Sequence, residues 1–173
     1  MRMFRYSLAL VAVAVGLANV GSAEPIVDSA RPASPAYVRV AQAADTAAFA
    51  SAPKQFFQAI VAKDYATAWG LLSEKTKKSL VATSAKEAKM SDEEMRKLFD
   101  TNDPAIQNGF WSAFRGSCKA DVFVGFSYTY GRQVGDKHIV ELRRPGAGAD
   151  KALELEVYDE GGPKFGMAES FKL

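Results

Sequence analysis

Residues 54–72, KQFFQAIVAKDYATAWGLL, decide the fold. Phe56, Phe57, Ile60 and Val61 recur at helical spacing and form one apolar face. Tyr65, Ala68, Trp69 and Leu72 form a second face with similar spacing. Asp64 stands between them, and its carboxylate can accept a backbone N–H at the start of a new helix. The stretch predicts a kinked helix or a pair of helices. Its aromatic rings supply a large part of a core.

Further helices follow. Ser73 to Lys89 is polar and lysine-rich, with Glu74 and Lys78 spaced for an i,i+4 pair. Lys75, Lys77, Lys78, Lys86 and Lys89 form either a basic face or a solvated face interrupted by Glu74 and Glu87. Ser91-Asp92-Glu93-Glu94 has the form of a capping box, followed by the stripe Met95, Leu98 and Phe99. Asp103-Pro104 opens another helix, with the acid as cap and the proline in the first turn. There Ile106, Phe110 and Phe114 are spaced four apart, with Trp111 beside them. Gly109 admits close approach of a neighbour, and Gly116 is the expected terminator.

After Gly116 the period becomes two. Val122, Val124, Phe126, Tyr128 and Tyr130 point one way, and Phe123, Gly125, Ser127 and Thr129 the other. Gly131 and Gly135-Asp136 punctuate a turn region, and His138 to Arg143 returns. Pro145 to Ala149 reads as a loop. Leu153, Leu155 and Val157 alternate with Glu154, Glu156 and Tyr158, giving a strand with one wet face. Glu160 to Pro163 is a turn, and Phe165, Met167, Glu169 and Phe171 share a face of a last strand. Helices first and strands second predict α+β, with N-terminal helices packed on an antiparallel sheet.

The N-terminus has another character. Arg2 and Arg5 precede an apolar run from Leu8 to Val20, and Gly21-Ser22-Ala23 supplies small residues. This is the anatomy of a secretory signal peptide, with cleavage expected after Ala23. The run is too short to span a bilayer, which takes roughly 20 residues. Residues 24–50 are rich in Ala, Pro and Ser and read as a flexible tether. An ordered strand through Tyr37, Val38 and Val40 and an Ala-rich helix starting before Pro53 are the other readings of that stretch. A single domain is expected over 51–173.

The chain has 173 residues, 48% hydrophobic and 24% charged, which excludes a wholly disordered chain or a collagen-like repeat. Lys plus Arg is 22 and Asp plus Glu is 20, so loss of Arg2 and Arg5 leaves 20 against 20. A neutral mature chain has no global field to attract nucleic acid or an anionic membrane. One His and one Cys leave no zinc finger and no disulfide framework. Gly146-Ala147-Gly148 lacks the downstream glycine and helix of a phosphate loop. No motif for a metal or cofactor is present. Cys118 is a lone thiol, either buried or paired between chains.

The pattern Phe56-Phe57, Ala59, Asp64-Tyr65, Ala68-Trp69 and Leu72, followed by a late strand, an acidic Gly-rich turn and Lys164-Phe165, resembles the nuclear transport factor 2-like superfamily. The polar tract from Ser79 to Asp103 is longer than that pattern holds. The resemblance covers roughly 53–171 and implies a cone, a curved sheet wrapped around helices. The open end of such a cone commonly holds a hydrophobic cavity. Members include ketosteroid isomerase-like enzymes, dehydratases, carrier-like binders and subunits without chemistry, so the fold alone fixes no function.

Three readings of function follow. Binding of a small hydrophobic ligand or an envelope partner would use Trp69, Phe110, Trp111, Phe114, Phe126 and Tyr128, with Trp111 and Tyr128 nearest the mouth. An acid–base isomerase or dehydratase would use a carboxylate in an apolar cavity, with Asp121 and Glu169 as candidates beside Tyr128. His138 is a proton-carrier candidate or a packing residue. A third reading is a homodimeric interaction subunit, pairing through a sheet face that exposes Tyr158 and Phe123. The reading adopted from sequence is an exported, periplasmic or secreted, non-catalytic binding protein with no stable membrane span.

Overall fold

The computed structural model describes residues 36–146 and 152–171, with side chains from residue 46 onward. The leader expected at 1–23, the tether residues 24–35 and most of the loop at 147–151 lie outside the described residues. Helix α1 runs over Ala36–Ala62. It starts directly after Pro35, where a helix entry tolerates the missing N–H. Residues 36–50, expected as tether, are therefore helical, because the Ala-rich composition outweighs the β-branched Val38 and Val40. Phe49, Ala52, Phe56, Phe57 and Ile60 are buried along it. Pro53 sits in its interior without breaking it.

Lys63 turns left-handed after α1, and Asp64 accepts a hydrogen bond from Thr67 N at 3.1 Å to start α2, Tyr65–Gly70. The expected pair of helices is present. Ser73 caps α3, Glu74–Ala88. Glu74 does not pair with Lys78; it takes Lys77 at 2.8 Å and Arg96 at 3.0 Å. Ser91 and Glu94 form both bonds of the capping box at the start of α4, Asp92–Asp100. Asp103 caps α5, Pro104–Ile106, by accepting from Ala105 N at 2.8 Å.

A π-helical turn, Gln107–Trp111, continues α5 and leads into α6, Ser112–Cys118. The helix passes through Gly116 and stops at Lys119, which is left-handed at φ 51°. Ala120–Val124 then forms α7. Period two therefore does not begin at Val122. A short apolar run is ambiguous by periodicity, and packing on α1 decides for helix.

The sheet is an antiparallel meander in the order β1-β2-β3-β4, over Ser127–Val134, Lys137–Arg143, Leu153–Asp159 and Pro163–Gly166. Gly131 is not in the turn: it lies inside β1, where the register shifts between Tyr130 and Arg132. Gly135-Asp136 makes the hairpin turn, with Gly135 at φ 63°. A parallel bridge from Leu72 to Phe165 covers the β4 edge. The last expected strand ends at Gly166, and Met167–Phe171 is a helix, α8. Together these elements are α+β.

Val140, Leu142, Leu155, Val157 and Phe165 are buried on one sheet face, and α1 packs across all four strands. The other face is laced with ion pairs: Arg132 with Glu154 at 2.8 Å, Lys137 with Glu156 at 3.0 Å and Arg143 with Glu141 at 2.6 Å. The apolar pairing face expected there is absent among the described residues. Tyr158 is only 8% exposed, and Phe123 belongs to α7, not to the sheet. Leu153, expected inside with Leu155, is 42% exposed.

Glu156 illustrates how that face is held. Burial pushes its pKa up, but hydrogen bonds from Tyr158 Oη at 2.6 Å and Lys137 Nζ at 3.0 Å outweigh this and hold it below the usual glutamate value. A depressed folded-state pKa stabilises the fold above the unfolded pKa, about 4.3, and the contribution is lost as pH falls through the folded value. Urea midpoints of the wild type and of Glu156→Gln should therefore differ at pH 7 and converge in acid. A constant gap from pH 7 to pH 3 would contradict this.

Candidate functional site

The aromatic residues singled out from sequence divide into two sets. Trp69 and Trp111 are core. Trp111 is 0% exposed, and the rings of Tyr65, Trp69, Phe99, Phe110 and Phe114 surround it with centroids 4.9 to 6.5 Å away. Trp69 stacks on Phe99 at 4.6 Å and donates its indole N–H to Asp100 Oδ1 at 2.8 Å. Arg96 grips the same carboxylate at 3.0 Å and lies 5.5 Å over the indole. The expectation that Trp111 lies near an open mouth is thus overturned: close packing encloses it.

Phe110, Phe114, Phe126 and Tyr128 are half-buried. The π-helical turn explains this division. Hydrogen bonds from i to i+5 insert one residue into the helical register. The buried residues are Ile106 and Trp111, five apart, not the four-apart series Ile106, Phe110 and Phe114. Phe110 and Phe114 are rotated outward as a result, stacked at 6.1 Å. None of the residues of α6 is buried. On α7 only Ala120 is buried, and Val122 is 46% exposed.

The half-buried rings rest on buried ones. Phe114 meets Phe56 at 6.1 Å, Phe57 stacks on Phe123 at 4.6 Å, and Phe123 meets Phe126 at 5.5 Å. Tyr128 donates to Phe123 O at 2.8 Å, tying β1 to α7, and burial pushes its phenol pKa up. Residues 107–128 thus form a mixed face: five partly buried rings are anchored in the core, and the exposed positions are polar or glycine apart from Val122. Phe123 is the member of this face that sequence reasoning assigned elsewhere.

Cys118 lies in the same face, half-buried, and burial pushes its thiol up to about 11. The thiolate is the reactive species, so the folded protein should react slowly with a disulfide reagent at pH 8 and rapidly in denaturant. Equal rates in both states would contradict this placement.

The three acid–base candidates stand on different elements. Asp121 is exposed on α7. Glu169 is on α8, not on a strand, and its side chain is 9% exposed. Its Oε2 accepts from Thr76 Oγ1 at 2.7 Å, and Lys75 Nζ is 3.8 Å from Oε1. His138 stacks on Phe49 at 3.6 Å, and its Nδ1 is 3.2 Å from Tyr130 Oη. Among the described residues no hydrogen bond or ion pair joins any two of the three. No group of three or more His, Cys, Asp or Glu among the described residues is placed to hold a metal ion.

Comparison with protein-family models, with curated proteins and with solved structures finds no match to this chain.

Proposed function

We propose that the protein is an exported, non-catalytic binding protein that takes a hydrophobic ligand against the partly buried rings of residues 107–128. The observation that carries this reading is the π-helical turn at Gln107–Trp111. Such turns are rare and are found frequently at functional sites. Here it leaves Phe110 and Phe114 only partly buried, where a regular helix would move the inward position from Trp111 to Phe110. Export is supported by the sequence of residues 1–23. The order of helices followed by an antiparallel meander supports the nuclear transport factor 2-like resemblance, which belongs to the same proposal. The acid–base alternative has less support, because Glu169 and His138 are engaged in internal contacts and Asp121 faces water.

The test is titration with an apolar fluorophore that brightens on leaving water. The wild type should show saturable enhancement, and Phe114→Ala should bind about ten-fold more weakly, as loss of half-buried ring contact implies. Absence of saturable binding, or equal affinity in the variant, would overturn the reading.

A further inference from the structure

Lys75, Lys78, Lys86 and Lys89 are exposed along α3 and at its C-cap. At about 100° per residue the first three fall within about 80° of arc, and the row of four runs about 20 Å along the axis. Ser79 and Ala82 lie between them, so the row holds no aromatic or large apolar side chain. The acids that could interrupt it are turned aside. Glu74 is held by Lys77 at 2.8 Å and by Arg96 at 3.0 Å, which also takes Lys77 out of the row. Glu87 falls about 100° round the helix from Lys86. Lys75 is 68% exposed and comes within 3.8 Å of Glu169, while Lys78, Lys86 and Lys89 form no ion pair with a described residue. Asp92 and Glu93, exposed at the start of α4, likewise form none. Lys75 stands in the first turn, where the helix dipole disfavours a cation, so helix stability does not account for its place. The mature chain expected from sequence is neutral overall, but salt screens fields beyond about 10 Å, so a ligand lying on α3 meets this row.

We propose that the solvent face of α3 docks a linear polyanion, a flexible chain that carries phosphate at each repeat. The inference goes beyond the hydrophobic-ligand reading and does not depend on it. Charge complementarity gives the sign of the ligand, since lysine ammonium groups take phosphates as point charges. The shape of the row gives its form. A flexible chain can follow all four lysines, whereas a flat bilayer or a rigid duplex meets a row one residue wide along a single line. Composition points the same way. Without an aromatic ring the row has no platform for stacked bases, and without an apolar side chain nothing on it enters a headgroup boundary. Binding is therefore electrostatic, driven by the counterions released as phosphates are neutralised.

Fluorescence anisotropy of end-labelled, long-chain inorganic polyphosphate, titrated with the full chain over a series of salt concentrations, tests this. Affinity should fall as salt rises. The double variant Lys78→Gln, Lys86→Gln should reduce the slope of log K against log salt by about 1.4, at about 0.7 per neutralised phosphate. At about 0.1 M salt it should bind about 25-fold more weakly, roughly five-fold per lysine. Glutamine is as good a helix former as lysine, so the variant should fold as the wild type does. Lys78→Arg, Lys86→Arg keeps the charge and should bind as the wild type. Arg115→Gln, Lys119→Gln removes two exposed cations at α6 and should leave affinity unchanged. Absence of salt-sensitive binding, an unchanged slope in the α3 glutamine variant, or an equal loss in the α6 variant overturns the proposal. Tighter binding to phosphatidylglycerol vesicles or to duplex DNA at equal phosphate concentration overturns the flexible chain as the occupant.

Discussion

Trp111→Ala should cost about 4 kcal/mol of folding stability, the usual scale for truncating a large buried ring. Trp111 is 0% exposed and touches rings from α2, α4, the π-helical turn and α6, so the cavity would open between four elements. Those rings cannot collapse into it independently. Tyr65 and Trp69 are fixed by their helix, and Trp69 is also tied to Asp100. Domains of this kind are stable by about 5 to 15 kcal/mol, so the variant should be close to marginal. Phe110→Ala should cost less, because the π register leaves Phe110 only partly buried. Urea unfolding of both variants reads the difference. If Phe110 were the more costly position, the helical register described for 107–111 would be wrong.

Gly166→Ala should cost about 2 kcal/mol, in the range of overpacking. A β-carbon there would lie 2.6 Å from Tyr158 Cε2, 3.1 Å from Glu156 O and 3.2 Å from Glu169 Oε2. The ring cannot swing away freely, because Tyr158 Oη is bonded to Glu156 at 2.6 Å and Lys137 holds the same carboxylate. The cost is steric, since no positive φ favours glycine at this position. A double-mutant cycle isolates it. In a Tyr158→Ala background the same substitution should lose less than half its effect. Full additivity would mean that the Tyr158 contact is not the cause.

The helix starts are legible in the sequence because caps act locally. Asp64, Ser91 with Glu94, and Asp103 before Pro104 each satisfy backbone N–H groups within three residues. The hairpin at Gly135-Asp136 is legible for the same reason, as its conformation depends on its own residues. Helix α8 is not local in this sense. Its Ala168 N–H is met by Thr76 Oγ1, 92 residues earlier in the chain, and that hydroxyl also bonds Glu169. Alternation from Phe165 to Phe171 therefore reads as strand although the chain turns helical at Met167. Likewise Val122-Phe123-Val124 has strand propensity, and the Phe123–Phe57 stack at 4.6 Å goes with a helix instead.

The candidate site was legible as a set of residue types, not as a surface. Sequence spacing marks Phe110, Trp111 and Phe114 as aromatic neighbours. Which of them turns inward depends on one extra residue in a π-helical turn, and no period in the sequence announces it. Glu169 is conspicuous among apolar residues in the sequence, and its side chain is indeed largely covered, but its neighbour is the Thr76 hydroxyl.

The central claim is that the face over residues 107–128 holds a hydrophobic ligand. Native mass spectrometry of the protein purified without detergent from the cells that make it tests this most directly. The account predicts an adduct of amphiphile size on the wild type, retained at low activation energy and diminished in Phe114→Ala. A bare wild-type chain that stays bare after incubation with a long-chain amphiphile would contradict it.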